Sequence, residues 1–168
     1  AVGAQDGRHL VLNADSLDVV ARVGPHGEYP HRAWFSEDGQ HLALNACHFF
    51  NGQTIRVPTR ELPGMDTQFY EADPRITPVH PHARVYGAVG RGSELILGDA
   101  YGYLDGVCTE TGGTWRHFLG NNITGMDLSP DGKQLAVGTM SGVAHVLDLD
   151  VGDDPYRIGT SGHGESRR

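Results

Sequence analysis

Apolar and polar positions alternate along this chain in short runs of period two, and glycine punctuates the runs. The clearest run is NITGMDLSPDGKQLAVGTMSGVAHVLDLD, Asn122–Asp150. Its first segment sets Ile123, Gly125 and Asp127 against Thr124, Met126 and Leu128, which predicts a strand. Ser129-Pro130-Asp131-Gly132 predicts a turn, because proline presets φ at the second position and glycine accepts a positive φ. Leu135, Ala136, Val137 and Gly138 are nearly all apolar and predict a strand buried on both faces. Ser141-Gly142 predicts a second tight turn. Val143–Leu149 alternates again, with Val143, His145, Leu147 and Leu149 on one face and Ala144, Val146 and Asp148 on the other. The unit is strand–turn–strand–turn–strand, with room for a fourth strand. No stretch carries a long amphipathic helical period.

The unit recurs. DGRHLVLNA (Asp6–Ala14), DGQHLALNA (Asp38–Ala46) and DGKQLAVGT (Asp131–Thr139) are near copies, and GSELILGDA (Gly92–Ala100) is a weaker one. They bring Leu10, Leu42, Leu95 and Leu135 into register, at spacings of 32, 53 and 40 residues. Self-similarity at this period marks a repeat architecture. One such meander cannot bury both of its faces, but stacked meanders can. Radial stacking gives a β-propeller of four-stranded blades.

The stretch Asn122–Asp150 resembles a repeat of the WD40 family or its WD40-like relatives. The residues that carry the likeness are Ser129-Pro130-Asp131-Gly132-Lys133, Leu135-Ala136-Val137-Gly138-Thr139, Gly142 and Val146-Leu147-Asp148-Leu149. The family's usual Trp-Asp is Leu147-Asp148 here, and its usual Asp before the second glycine is Ser141. The Gly-His ahead of the first strand is absent, so the hydrogen-bonded tetrad of that family is missing from this repeat.

The resemblance implies an all-β fold, a β-propeller of about four blades or blade parts made of antiparallel strands. The blades fall at 1–29 (partial), 30–82 (with an insertion), 83–120 and 121–168. Propellers usually close with four to eight blades. Four blades in 168 residues is tight, and the chain starts and ends inside a repeat. The expectation is an incomplete ring, completed by a second chain or by a segment absent here. The function this implies is a scaffold for protein–protein interaction.

Composition narrows the partners. Glycine is high, at 24 residues, and is spread along the chain as many short strands require. The net charge of −8 and the lack of any basic run argue against nucleic acid. An acidic surface suits a basic protein partner. No apolar stretch approaches 18 residues, so no membrane partner is expected and a soluble protein is, with the cytoplasm favoured. Cys47 and Cys108 permit one disulfide, but two buried free thiols are the expected reading.

The candidate sites lie where the period breaks. PTRELPGMDTQFYEADPRITPVHP, Pro58–Pro81, adds about a dozen residues to its blade. Its prolines and its aromatics Phe69 and Tyr70 suit a rigid binding ridge, or a long strand with its connector. Tyr101 and Tyr103 share a strand face and suit a channel mouth, or packing between blades. His80 and His82, two apart on an extended segment, could begin a metal site, although no third ligand sits at a recognisable spacing. Asp148, Asp150, Asp153 and Asp154 read as a solvated acidic turn rather than a calcium loop. Trp34-Phe35 and Phe49-Phe50 read as core between blades.

No catalytic motif and no cofactor-binding motif is present, which points away from an enzyme. Ser161 and His163 lie close together only in a glycine-rich tail. The alternative is a propeller enzyme or ligand binder with a metal or small molecule at a central channel.

Overall fold

The computed structural model describes residues 1–150. Asp153, Asp154, Ser161 and His163 therefore lie outside the described residues. The chain divides into two compact units, one from Ala1 to Arg84 and one from Val85 onward.

The first unit holds two antiparallel sheets. One is β1 (Val2–Gly3), β2 (His9–Leu12) and β3 (Val19–Val23), in that order. The other is β4 (Tyr29–Phe35), β5 (His41–His48), β6 (Asn51–Pro58) and β7 (Thr77–Pro81), also in chain order. Val11, Ala21 and Val23 of the first sheet pack with Leu42, Leu44, Ile55 and Val57 of the second to form one core. From Leu42 to Cys47 every residue of β5 is buried, which is why its sequence has lost the period of two.

The recurring phrase is a turn. Ser36 Oγ donates to Asp38 Oδ1 at 2.6 Å, the Gln40 N–H donates to the same oxygen, and the His41 N–H donates to Ser36 Oγ. Ser129, Asp131, Lys133 and Gln134 make the same three bonds. Gly39 and Gly132 then take φ of 68° and 69°, where a β-carbon would be strained. These two copies of the phrase thus build the turn that returns the chain into the next strand, and the Asp6 copy keeps one of the three bonds, from the Arg8 N–H to Asp6 Oδ1.

The segment after β6 does not loop out freely. It straps the open edge of β3. The Gly64 N–H donates to the Val20 carbonyl, the Arg22 N–H to the Met65 carbonyl, and the Thr67 N–H to the Arg22 carbonyl. Arg22 and Asp66 form a parallel bridge. The Gly24 N–H adds a bond to Thr67 Oγ1 at 2.6 Å. Leu62, Met65 and Ile76 of the strap are buried in the core. The first sheet has only three strands of its own, and this insertion occupies the edge a fourth would cover.

The second unit also holds two sheets. β8 (Val85–Arg91), β9 (Glu94–Asp99), β10 (Tyr103–Cys108) and β11 (Thr114–Phe118) form a four-stranded one. β12 (Ile123–Leu128), β13 (Gln134–Thr139) and β14 (Ala144–Asp148) form a sheet with three described strands. Ile96 and Leu104 pack with Ile123, Leu135, Val137 and Leu147. Gly98 lets Ile123 approach, since a β-carbon there would lie 2.6 Å from Ile123 Cγ2.

Three expectations are corrected. The pairing shifts between Ile123 and Gly125, so Ile123 shares its face with Met126 and Leu128. β13 is buried on one face only, because Ala136 is exposed while Leu135 and Val137 are buried. Phe49 and Phe50 are surface residues of the β5–β6 turn, Phe49 being 75% exposed, and Phe35 is half exposed at the end of β4. Both cysteines are free thiols, Cys47 buried and Cys108 partly so.

Candidate interaction site

The sequence candidates separate into inward and outward residues. Phe69 is 68% exposed on the strap. Tyr70, its neighbour, turns in: its hydroxyl donates to Gln53 Oε1 at 2.8 Å and its ring meets the edge of His26. His80 is buried in β7. His82 is exposed and has left the strand with φ of 82°, so the alternation that would align it with His80 ends at Pro81.

Beneath Tyr70 lies a pair that the sequence did not single out. His9 and His26 stack with centroids 5.3 Å apart, and His9 is 1% exposed. His26 Nε2 donates to the Leu44 carbonyl, which leaves Nδ1 as an acceptor without a partner. Neither ring nitrogen of His9 makes a hydrogen bond. Burial, and for His9 also the neighbouring imidazole, holds their pKa values down to about 3 and about 4. Both rings are neutral at physiological pH. The one signal available beforehand was position: His9 alternates with Val11 on the buried face of β2.

The second unit carries the outward site. Asp99 ends β9, and its Oδ1 accepts the N–H groups of Tyr101 and Tyr103, which fixes the turn between them. Tyr101 stands exposed in that turn. Tyr103 opens β10 opposite Phe118 of β11, and the two rings lie 4.7 Å apart. Two pairs further along, on the same face, Arg116 Nε and a terminal nitrogen donate to the two oxygens of Asp105, at 2.6 and 3.2 Å. The Arg116 guanidinium also lies 4.8 Å over the Tyr103 ring. Asp105 and the ring hold Arg116 in one pose, and Asp105 raises its pKa. Phe118 is 55% exposed. The result is a prearranged aromatic–guanidinium patch on an outer edge strand. Arg116 and Phe118 were not read from the sequence, because only the β10–β11 register brings them to Tyr103.

In the repeat with Ser141, Thr139 Oγ1 and Ser141 Oγ bond to each other at 2.9 Å, and Thr139 Oγ1 also bonds the Val143 carbonyl. Hydroxyls there hold the turn that Asp99 holds in the preceding sheet. Of the acidic group, Asp150 pairs with Arg91 and Lys133. No helix among the described residues is long and apolar enough to cross a membrane.

No family model matches the sequence, and no curated protein matches it. Solved structures do. A chain of the mitotic checkpoint complex crystal structure superposes with a TM-score of 0.64 at 22% identity, over 84% of this chain and 42% of that one. The β-propeller domain of Myceliophteria thermophila Cps50 (Swd1) gives 0.55 at 12% identity, over 75% of this chain and 38% of that one. At such identities the likeness is one of fold. The chain spans about two fifths of the length of these neighbours. Its fold is that of a β-propeller, of which these residues form a part.

Proposed function

We propose that this chain is a WD40-like scaffold for protein–protein interaction and part of a larger propeller or complex. One observation carries the reading: Phe118 and Arg116, with Tyr101 in the adjoining turn, are exposed around the half-buried Tyr103, and the group is already ordered. Tyrosine and arginine anchors of this kind dominate protein interfaces, and a guanidinium held beforehand loses little entropy on binding. The partner is basic. Between Val85 and Asp150 there are eight Asp and Glu against three Lys and Arg, a balance of −5. One structural neighbour comes from the mitotic checkpoint complex, which is consistent with such a role.

The test immobilises the wild-type chain beside a Tyr103→Ser, Phe118→Ser double variant and compares what each retains from an extract of the source cells. A specific protein held by the wild type, reduced at least about tenfold by the variant and released by salt, is the expected result. Equal retention by both chains would overturn the assignment of the patch.

A further inference from the structure

Hydrogen bonds decide which way each residue of β11 turns its backbone. The Leu119 N–H donates to the Gly102 carbonyl, and the Cys108 N–H donates to the Gly113 carbonyl. Between those two bonds the register runs without a break, from Tyr103 opposite Phe118 to Val107 opposite Thr114. Bonded and unbonded positions alternate in an antiparallel pair, so His117 and Trp115 bond to β10 while Thr114, Arg116 and Phe118 do not. These three aim N–H and C=O away from the sheet, which β11 terminates in the order β11-β10-β9-β8. Among the described residues no backbone group meets them. Their side chains are exposed as well.

The first unit shows how such edges are otherwise closed. On β3 the strap adds an extended segment, with Arg22 and Thr67 donating across the junction. On β7, the terminal strand of its sheet, Pro78 and Pro81 have no N–H to offer a further strand. β11 carries neither device. Its sequence, TWRHF, holds no proline, and its pairing with β10 has no bulge. Its one guanidinium is drawn onto Asp105 and the Tyr103 ring, so it does not bar the edge as a free charge would.

We infer that an extended segment of the protein partner pairs with β11 as a fifth strand of this sheet. Thr114, Arg116 and Phe118 supply the backbone bonds, which give affinity, and the side-chain patch gives specificity. Charge selects the segment. Beside Arg116, whose charge Asp105 offsets, and beside Phe118 it is uncharged, with a β-branched or aromatic residue over the Phe118 ring. Where it passes Glu110, exposed in the turn that leads into β11, it is basic. The inference rests on the scaffold reading and adds to it how the partner is held.

The test takes short linear peptides of random sequence, displayed on phage, and selects them on the whole chain against a Thr114→Pro variant. That substitution removes one outward N–H and leaves the β10 ladder and the Tyr103–Phe118–Arg116 patch in place; Thr114→Val keeps the N–H and serves as control. Circular dichroism and Trp115 emission check both folds. Peptides that bind the wild type and Thr114→Val alike, and Thr114→Pro at least about tenfold more weakly, are expected. N-methylation of one alternate set of their residues should abolish binding, and methylation of the other set should not, a readout that holds even where Thr114→Pro does not fold. The Thr114, Arg116 and Phe118 amides should exchange fast in the free chain and slowly with peptide bound. Failure to select any such peptide overturns the inference, and so does equal tolerance of both methylated sets. Slow exchange of the three amides in the free chain also overturns it, because the edge would then already be taken by this chain or a second copy. A partner that is lost by the Tyr103→Ser, Phe118→Ser variant but kept by Thr114→Pro leaves the scaffold reading standing and removes only the added strand.

Discussion

His9 and His26 stack 5.3 Å apart in the core of the first unit, and three of their four ring nitrogens lack a hydrogen-bond partner. Two neutral imidazoles can share such a place, but two cations cannot.

Acid should therefore unfold the first unit early. Both histidines have folded pKa values far below the usual 6.5, at about 3 and about 4. The unfolded chain binds more protons below pH 6.5, so the stability of the neutral pair is complete above that pH and is lost as pH falls toward 4. A pH of 5 lies about 1.5 units below the unfolded pKa and above both folded values, a loss of about 2 kcal/mol for each ring. Urea midpoints at pH 7.5 and pH 5.0 measure it. His9→Phe should remove roughly half of the difference; an unchanged difference would mean that His9 is not held neutral.

The strap should behave as part of the first sheet. Met65→Ala empties a fully buried position and should cost about 3 kcal/mol. In native-state exchange the amides of Arg22, Gly64 and Thr67 should open together, since each donates across the β3–strap junction. Independent opening of Gly64 and Thr67 would show that the strap is a loose loop.

Trp115 lies on Gly106. A β-carbon at Gly106 would fall 2.0 Å from the indole nitrogen, so no other residue fits without moving the ring. Gly106→Val should cost about 2–3 kcal/mol and shift the Trp115 emission to the red. The measurement is best made in a Trp34→Phe background, which removes the other tryptophan. An unshifted spectrum would refute the contact.

Cys108 should react before Cys47. The Thr111 hydroxyl, the N–H groups of Thr111 and Glu110, and the Ser93 hydroxyl stabilise its thiolate and bring its pKa down to about 7, whereas burial pushes Cys47 up. Alkylation by iodoacetamide in the native state should be confined to Cys108 and rise to half its limiting rate near pH 7. Thr111→Val should move that midpoint upward. A midpoint in the usual thiol range for the wild type would contradict the arrangement.

Much of the fold could be read from the residues, for local reasons. Ser36, Asp38 and Gly39 specify their turn by bonds within five positions, and Ser129, Asp131 and Gly132 repeat it, so the phrase announces the turn in both places. The alternation of β14 and the apolar run of β5 report their own burial. What escaped depends on distant partners. Ala136 looks like core by composition, yet among the described residues nothing covers it. Phe49 and Phe50 look like core by hydrophobicity and sit in a turn. The pairing of Tyr103 with Phe118 needs the register of a hairpin fifteen residues across, and that of β3 with the strap needs a non-local parallel contact with no signature of its own.

That strap also sets a clock on synthesis. β3 ends at Val23, but the last of its edge partners is Thr67, 44 residues later. At the usual 5–20 residues per second, the open edge waits roughly 2–9 s on the ribosome. The order of manufacture is thus inverted relative to the order of strands: the second sheet's hairpin of β5 and β6 is translated first, and the segment following it then closes the sheet that came before.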